Sequence, residues 1–238
     1  DGGLATSAVV SAPMHVWVGP APARDVYVSE IGTQYGRVRR IRRATNVIES
    51  WLTPKRTGCT SSTVQLWGCR NSGASAQGWC SLAFDAAGQA YVGAWMCGQP
   101  SGATSNSQPT YGILKVDEAG GVTERVAGCS GVAPACYPAG TSAQPALSTA
   151  LTAFTHLAVA PDGDVMISEQ TARRIVRIDA HDQRLYSLAG QVNNVVTADY
   201  RPAFDAFIDN PTQLGFDGQG NLVYADRARN RVRSIWAP

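Results

Sequence analysis

The stretch Val165–Ala180 reads VMISEQTARRIVRIDA. An apolar run ends in an acid, a short polar turn follows, and a second apolar run opens on arginine. The same order recurs at 26–41, VYVSEIGTQYGRVRRI, and at 222–235, LVYADRARNRVRSI. The acids are Glu30, Glu169 and Asp226, and the runs after the turn are RVRRI, RIVRI and RVRSI. A weaker copy, AYVGAW at 90–95 and YGILKVD at 111–117, lacks the acid and carries Lys115 where the others have arginine. Short β-rich runs joined by polar turns read as antiparallel hairpins. The acid that ends one strand then faces the arginine that opens the next. This pairs Glu30 with Arg37, Glu169 with Arg173 or Arg174, and Asp226 with Arg231. Partly exposed pairs of this kind contribute ~0–1 kcal/mol each, so their expected role is to set hairpin register.

The repeat extends in both directions. Upstream, LAVAPDGDVMISE at 157–169, LGFDGQGNLVYAD at 214–226 and LAFDAAGQAYVGA at 82–94 each read strand, Gly turn, strand; VWVGPAPARDVYVSE at 16–30 has a Pro-rich turn instead. Downstream, VIESWL at 47–52, VTERVAG at 122–128 and RLYSLAG at 184–190 supply a last strand. His15, Ser81, His156 and Gln213 are equivalent positions, spaced by 66, 75 and 57 residues. A unit of this size with four short strands predicts an all-β fold, a β-propeller built of blades. The whole chain, 1–238, reads as one propeller region with blades at about 1–53, 79–128, 145–190 and 202–238. The extra length lies in two insertions, 54–78 and 96–110, rich in Ser, Gly and Thr and expected as surface loops.

Composition agrees. Only 16% of the 238 residues are charged, as expected for strands buried on both faces. A net charge of +2 does not point to nucleic acid, and no apolar run approaches the ~20 residues of a membrane span. The six cysteines, Cys59, Cys69, Cys80, Cys97, Cys129 and Cys136, favour disulfides and an oxidising compartment. GCSGVAPACYPAG makes Cys129–Cys136 the best local pair, CTSSTVQLWGC brackets Cys59–Cys69, and Cys80–Cys97 remain. Six buried thiols acting as small hydrophobes are the competing reading.

These motifs together resemble the NHL-repeat family of β-propellers. They are closest to the subset with a D-G-G-x-A-T-S-A lead, a P-x-G-V-A-V-D-x-x-G-x-L-Y-V-A-D core, then N-x-R-I-R-x-I and T-V-A-G, found in teneurin-like surface proteins and in secreted bacterial and algal proteins. Asp1–Ala8, DGGLATSA, matches the lead; LGFDGQGNLVYAD with RNRVRSI matches the core; RLYSLAG and VTERVAG match the last strand. The resemblance implies about six blades, so the four visible here read as part of a larger propeller. It implies two kinds of function. The first, preferred, is a non-enzymatic extracellular structural and protein-interaction module of a secreted or cell-surface protein. It needs no cofactor, and its partners are proteins or other parts of the same polypeptide. Arg39, Arg40, Arg42 and Arg43, in RVRRIRR, are its candidate partner-binding residues. The second is a metal-dependent lyase or hydrolase with its site in a central channel. His15 and His156 are its weak candidate ligands, since Ser81 and Gln213 at the equivalent positions are poor zinc ligands. The lyases' histidine also falls one position earlier, where this chain has Met14, Cys80, Thr155 and Thr212.

Overall fold

The run Val165–Glu169 is buried at all five positions. A strand with no wet face needs neighbours on both sides, and every repeated run finds them in an antiparallel sheet. The computed structural model describes residues 1–31, 36–53, 65–68, 81–97, 110–129, 136–137, 142–190 and 202–236. The chain divides into two compact units, Asp1–Arg125 and Val126–Pro238. The fold is all-β, of β-propeller type, with four blade sheets.

In the first unit, β1 (Pro13–Val18), β2 (Val26–Glu30), β3 (Arg37–Arg42) and β4 (Val47–Leu52) form a four-stranded meander. The second sheet combines β5 (Gln65–Gly68), β6 (Ser81–Phe84), β7 (Ala90–Cys97), β8 (Thr110–Val116) and β9 (Val122–Ala127). Strand β5 corrects the expectation that 54–78 is entirely loop. β7 is eight residues long, β6 pairs only with Ala90–Gly93, and the apolar QLWG segment takes the rest of that edge, Trp95–Cys97. The core between the two sheets contains Tyr27, Val38, Trp51, Leu52, Leu82, Val92 and Leu114. Gly120, at φ +85°, lets the turn after β8 approach β4; a Cβ there would lie 1.7 Å from the Trp51 carbonyl oxygen.

In the second unit, β10 (Gln144–Pro145), β11 (Phe154–Val159), β12 (Val165–Glu169), β13 (Arg174–Ile178) and β14 (Arg184–Ala189) form a sheet in the order β10-β14-β13-β12-β11. The last sheet has three strands, β15 (Pro211–Phe216), β16 (Leu222–Asp226) and β17 (Arg231–Ile235). Ala158, Met166, Ile175, Ala189, Ile208, Leu214, Leu222 and Tyr224 fill the core of this unit.

Two backbone features recur. The first strand carries a bulge at the same place in three blades, between Pro13 and Val16, Phe154 and His156, and Pro211 and Leu214. The residue just before the third strand is left-handed in the same three: Gly36 (φ 67°), Arg173 (φ 52°) and Asn230 (φ 51°). Glycine and asparagine tolerate that conformation far better than arginine.

Candidate functional site

The acids that end the second strands sit where the hairpin register directs them. Glu30 faces Arg37, Glu169 faces Arg174 and Asp226 faces Arg231. Glu30 ion-pairs with Arg37, and Glu169 with Arg174. Arg173, turned away by its left-handed backbone, lies 3.6 Å from Asp209 instead. Asp226 has the Arg233 guanidinium at 4.0 Å. The three carboxylates are 0% exposed; Arg37 is 26% exposed and Arg231 is exposed, so those pairs stay partly exposed as expected, and only Glu169–Arg174 is buried on both sides. Breaking a buried pair leaves an uncompensated charge in the interior, a loss of about 3–5 kcal/mol.

Each acid also does something the hairpin reading does not contain. Glu30 accepts the backbone N–H of Ser11 at 2.9 Å. Glu169 accepts the N–H and hydroxyl of Thr152 at 2.6 and 3.0 Å. Asp226 accepts the N–H groups of Asp209 and Asn210 at 3.3 and 3.1 Å. Ser11, Thr152 and Asp209 each lie four residues before the marked positions His15, His156 and Gln213. The acid therefore clamps the chain as it enters the bulged first strand. The arginine reaches the other way, to the fourth strand: Arg37 Nη1 donates to Ser50 Oγ and Arg174 Nη1 to Ser187 Oγ, both at 3.1 Å. Three strands of a blade are thus tied through one charge pair.

The serine before the acid serves the bulge. Ser29 Oγ accepts the His15 N–H and Ser168 Oγ the His156 N–H, both at 3.0 Å. The repeated Ser-Glu of 29–30 and 168–169 is the sequence signal for this pairing, and it was missed beside the more visible arginines. The His156 ring is buried and its Nδ1 accepts the backbone N–H of Leu214 at 3.3 Å, joining β11 to β15. His15 is half-buried, its ring 5.4 Å from that of Trp17, and burial lowers its imidazole below 6.5. Among the described residues no group of three or more His, Cys, Asp or Glu is arranged to hold a metal.

The arginine cluster is divided. Arg39 and Arg40 are 3% and 5% exposed, which removes both from the expected partner-binding face. Arg39 donates to the Val9 carbonyl at 2.9 Å and to the Asp1 carboxylate at 3.0 Å. Arg40 donates to Glu49 at 2.8 Å and to the Glu118 carbonyl at 3.1 Å. Arg42 shares Glu49 at 3.0 Å. Burial acts against the Glu49 charge, yet the hydrogen bonds and charges of Arg40 and Arg42 outweigh it and hold that carboxyl below its ordinary range. Arg43 remains on the surface. Cys129 and Cys136 are joined as a disulfide with Cα atoms 5.8 Å apart. The pairings Cys59–Cys69 and Cys80–Cys97 lie outside the described residues, Cys97 being described in its backbone alone.

No protein family profile matches the chain, and no curated protein sequence does. Solved structures do. An auxiliary nutrient binding protein from Bacteroides thetaiotaomicron VPI-5482 superposes with a TM-score of 0.56 at 15% identity, over 93% of this chain and 47% of that one. Another from Bacteroides ovatus ATCC 8483 gives 0.57 at 13% identity, over 95% and 48%. A protein assigned as a gluconolactonase gives 0.50 at 10% identity, over 90% and 57%. At these identities the likeness is one of fold. The chain spans about half the length of the nutrient binding proteins it matches.

Proposed function

We infer that this chain is a non-enzymatic interaction module, built on an NHL-type propeller and belonging to a secreted or cell-surface protein. The observation that carries this is the use made of the repeated charged residues. Glu30, Glu169 and Asp226 are buried and occupied with backbone N–H groups and arginines, so the repeat encodes a scaffold. What differs between blades is what lies outside it: the insertions, and Arg42 and Arg43. The Cys129–Cys136 disulfide supports an oxidising compartment. Two of the matched structures are named as binding proteins, which supports a binding role in kind. The partner is a protein or another part of the same polypeptide.

The test is a cysteine count and a metal assay on protein recovered from its native compartment. Three disulfides and no stoichiometric metal are expected. Six thiols together with one tightly held zinc or calcium ion would overturn the reading in favour of a channel enzyme.

A further inference from the structure

The residue that precedes the second strand of a blade is an acid in two of the four. Asp25 Oδ1 accepts the Arg43 N–H at 2.9 Å, and Asp164 Oδ1 the Ala180 N–H at 2.8 Å. Gln89 and Asn221 hold the same place as neutral amides, and they donate within their own blades, to the Ala90 and Val116 carbonyls and to Asp217. The two acids differ at their other oxygen. Asp164 Oδ2 faces the Arg177 guanidinium at 3.4 Å, and that guanidinium lies 5.3 Å from the centre of the Tyr186 ring. Arg40 is the counterpart of Arg177, since it pairs with Tyr27 of β2 as Arg177 pairs with Met166 of β12. It is turned elsewhere, to Glu49 at 2.7 Å and the Glu118 carbonyl at 3.1 Å. Asp25 Oδ2 therefore has no cation or donor among the described residues, although Asp25 is only 9% exposed.

That carboxylate lines a cavity of about 350 Å³ in the first unit, together with Tyr27, Arg40, Trp51, Phe84 and Gln89. The volume falls within the ~300–1,000 Å³ of small-ligand sites. Three rings stand together there, Tyr27 with Trp51 at 4.9 Å and with Phe84 at 5.1 Å between centres. The charges favour a cation. Asp25, Asp117 and Glu118 line the cavity against Arg40 alone, and Glu49 already offsets that arginine. A planar guanidinium suits both features, since it meets a carboxylate through directed N–H groups and stacks on aromatic faces. The third blade makes the same pairing inside the chain, with Arg177 between its acid and its ring.

We propose that the cavity beside Asp25 is a binding site for a guanidinium group, which takes at Asp25 Oδ2 the place that Arg177 holds at Asp164. The group arrives on an arginine side chain of a polypeptide or on free arginine. This goes beyond the interaction reading above, which names no pocket and no ligand chemistry.

The test titrates the 238-residue chain with N-acetyl-arginine amide, with its citrulline counterpart, which is neutral and of the same shape, and with free L-arginine. Binding is followed by NMR at the Arg43 and Gln89 amides. A dissociation constant of about 1 mM is expected for the arginine amide, and the citrulline amide should bind about ten-fold more weakly or less. Asp25→Asn keeps the acceptor for the Arg43 N–H and should weaken the arginine amide about 10–100-fold. Asp164→Asn, in the blade whose acid already holds Arg177, should leave binding unchanged. Tighter binding of the amide than of free arginine, whose carboxylate meets Asp117 and Glu118, identifies a polypeptide as the source; the reverse order identifies the free amino acid. Equal binding of the arginine and citrulline amides overturns the proposal without any variant. So does binding that survives Asp25→Asn, or a response confined to amides outside the cavity. The cysteine and metal test of the interaction reading is unaffected by any of these results, so the two fail separately.

Discussion

Glu169 holds the backbone N–H of Thr152 at 2.6 Å across 17 residues of chain. The same carboxylate pairs with Arg174, so one buried group fixes both the entry to the blade and its middle hairpin. Glu169→Ala removes the acceptor and strands the Arg174 charge. The expected loss is about 3–5 kcal/mol, measured by urea unfolding. Replacing both residues together, Glu169→Leu with Arg174→Met, should recover most of it. A loss below about 1 kcal/mol for the single variant would mean that water already reaches the pair.

Arg173 adopts φ 52° at a position where the other blades place Gly36 and Asn230. Its ion pair with Asp209 is long, 3.6 Å, and the side chain is half exposed. Arg173→Gly should therefore raise stability by about 0.5–1 kcal/mol, the relief of left-handed strain exceeding the lost pair and the added flexibility of the unfolded chain. Arg174→Gly, one residue on, should do the reverse by several-fold more.

Two groups give stability opposite dependences on pH. Burial raises the Asp164 carboxyl above 3.8 despite the Ala180 N–H bond, so the folded state disfavours its charge. That penalty is absent below 3.8 and grows as pH rises through the folded value. Asp164→Asn keeps the acceptor and should gain on the wild type as pH rises from about 3 to 6. Burial lowers the His15 imidazole below 6.5. Its neutral form is favoured on folding, so stability is full above 6.5 and falls as pH drops toward the folded value. His15→Gln should flatten the curve in that window alone. Chemical denaturation at stepped pH separates the two.

The His156 Nδ1 accepts the Leu214 N–H inside the second unit. His156→Phe retains the ring volume and leaves that N–H without this acceptor, an expected loss of about 1–3 kcal/mol. His156→Gln, which can offer an oxygen, should lose less. Equal losses would show that packing, and not the hydrogen bond, sets the cost.

The blades could be read from the chain because strand, turn, acid and arginine recur in order, and each relation spans a few residues. Register alone carried Glu30 to Arg37 and Glu169 toward Arg174. The choice between Arg173 and Arg174 needed the backbone, since only the structure shows Arg173 left-handed. The second task of the acids was hidden for a different reason. Ser11, Thr152 and Asp209 reach them only because a bulge redirects the first strand, and nothing local marks that bulge except the serine of the Ser-Glu pairs. Arg39 and Arg40 looked like a solvated cluster because their partners, Asp1, Val9 and Glu118, lie far off in sequence. Strand β5 was hidden because its partner edge exists only where β7 outruns β6.

The most direct test of the scaffold account is site-resolved amide exchange at Thr152, in the wild type and in Glu169→Ala. The account predicts that Thr152 loses protection well beyond the loss at Ile167, a core amide that reports global unfolding. If both amides lose protection equally, Glu169 acts only through overall stability, and the clamp on the entering strand is contradicted.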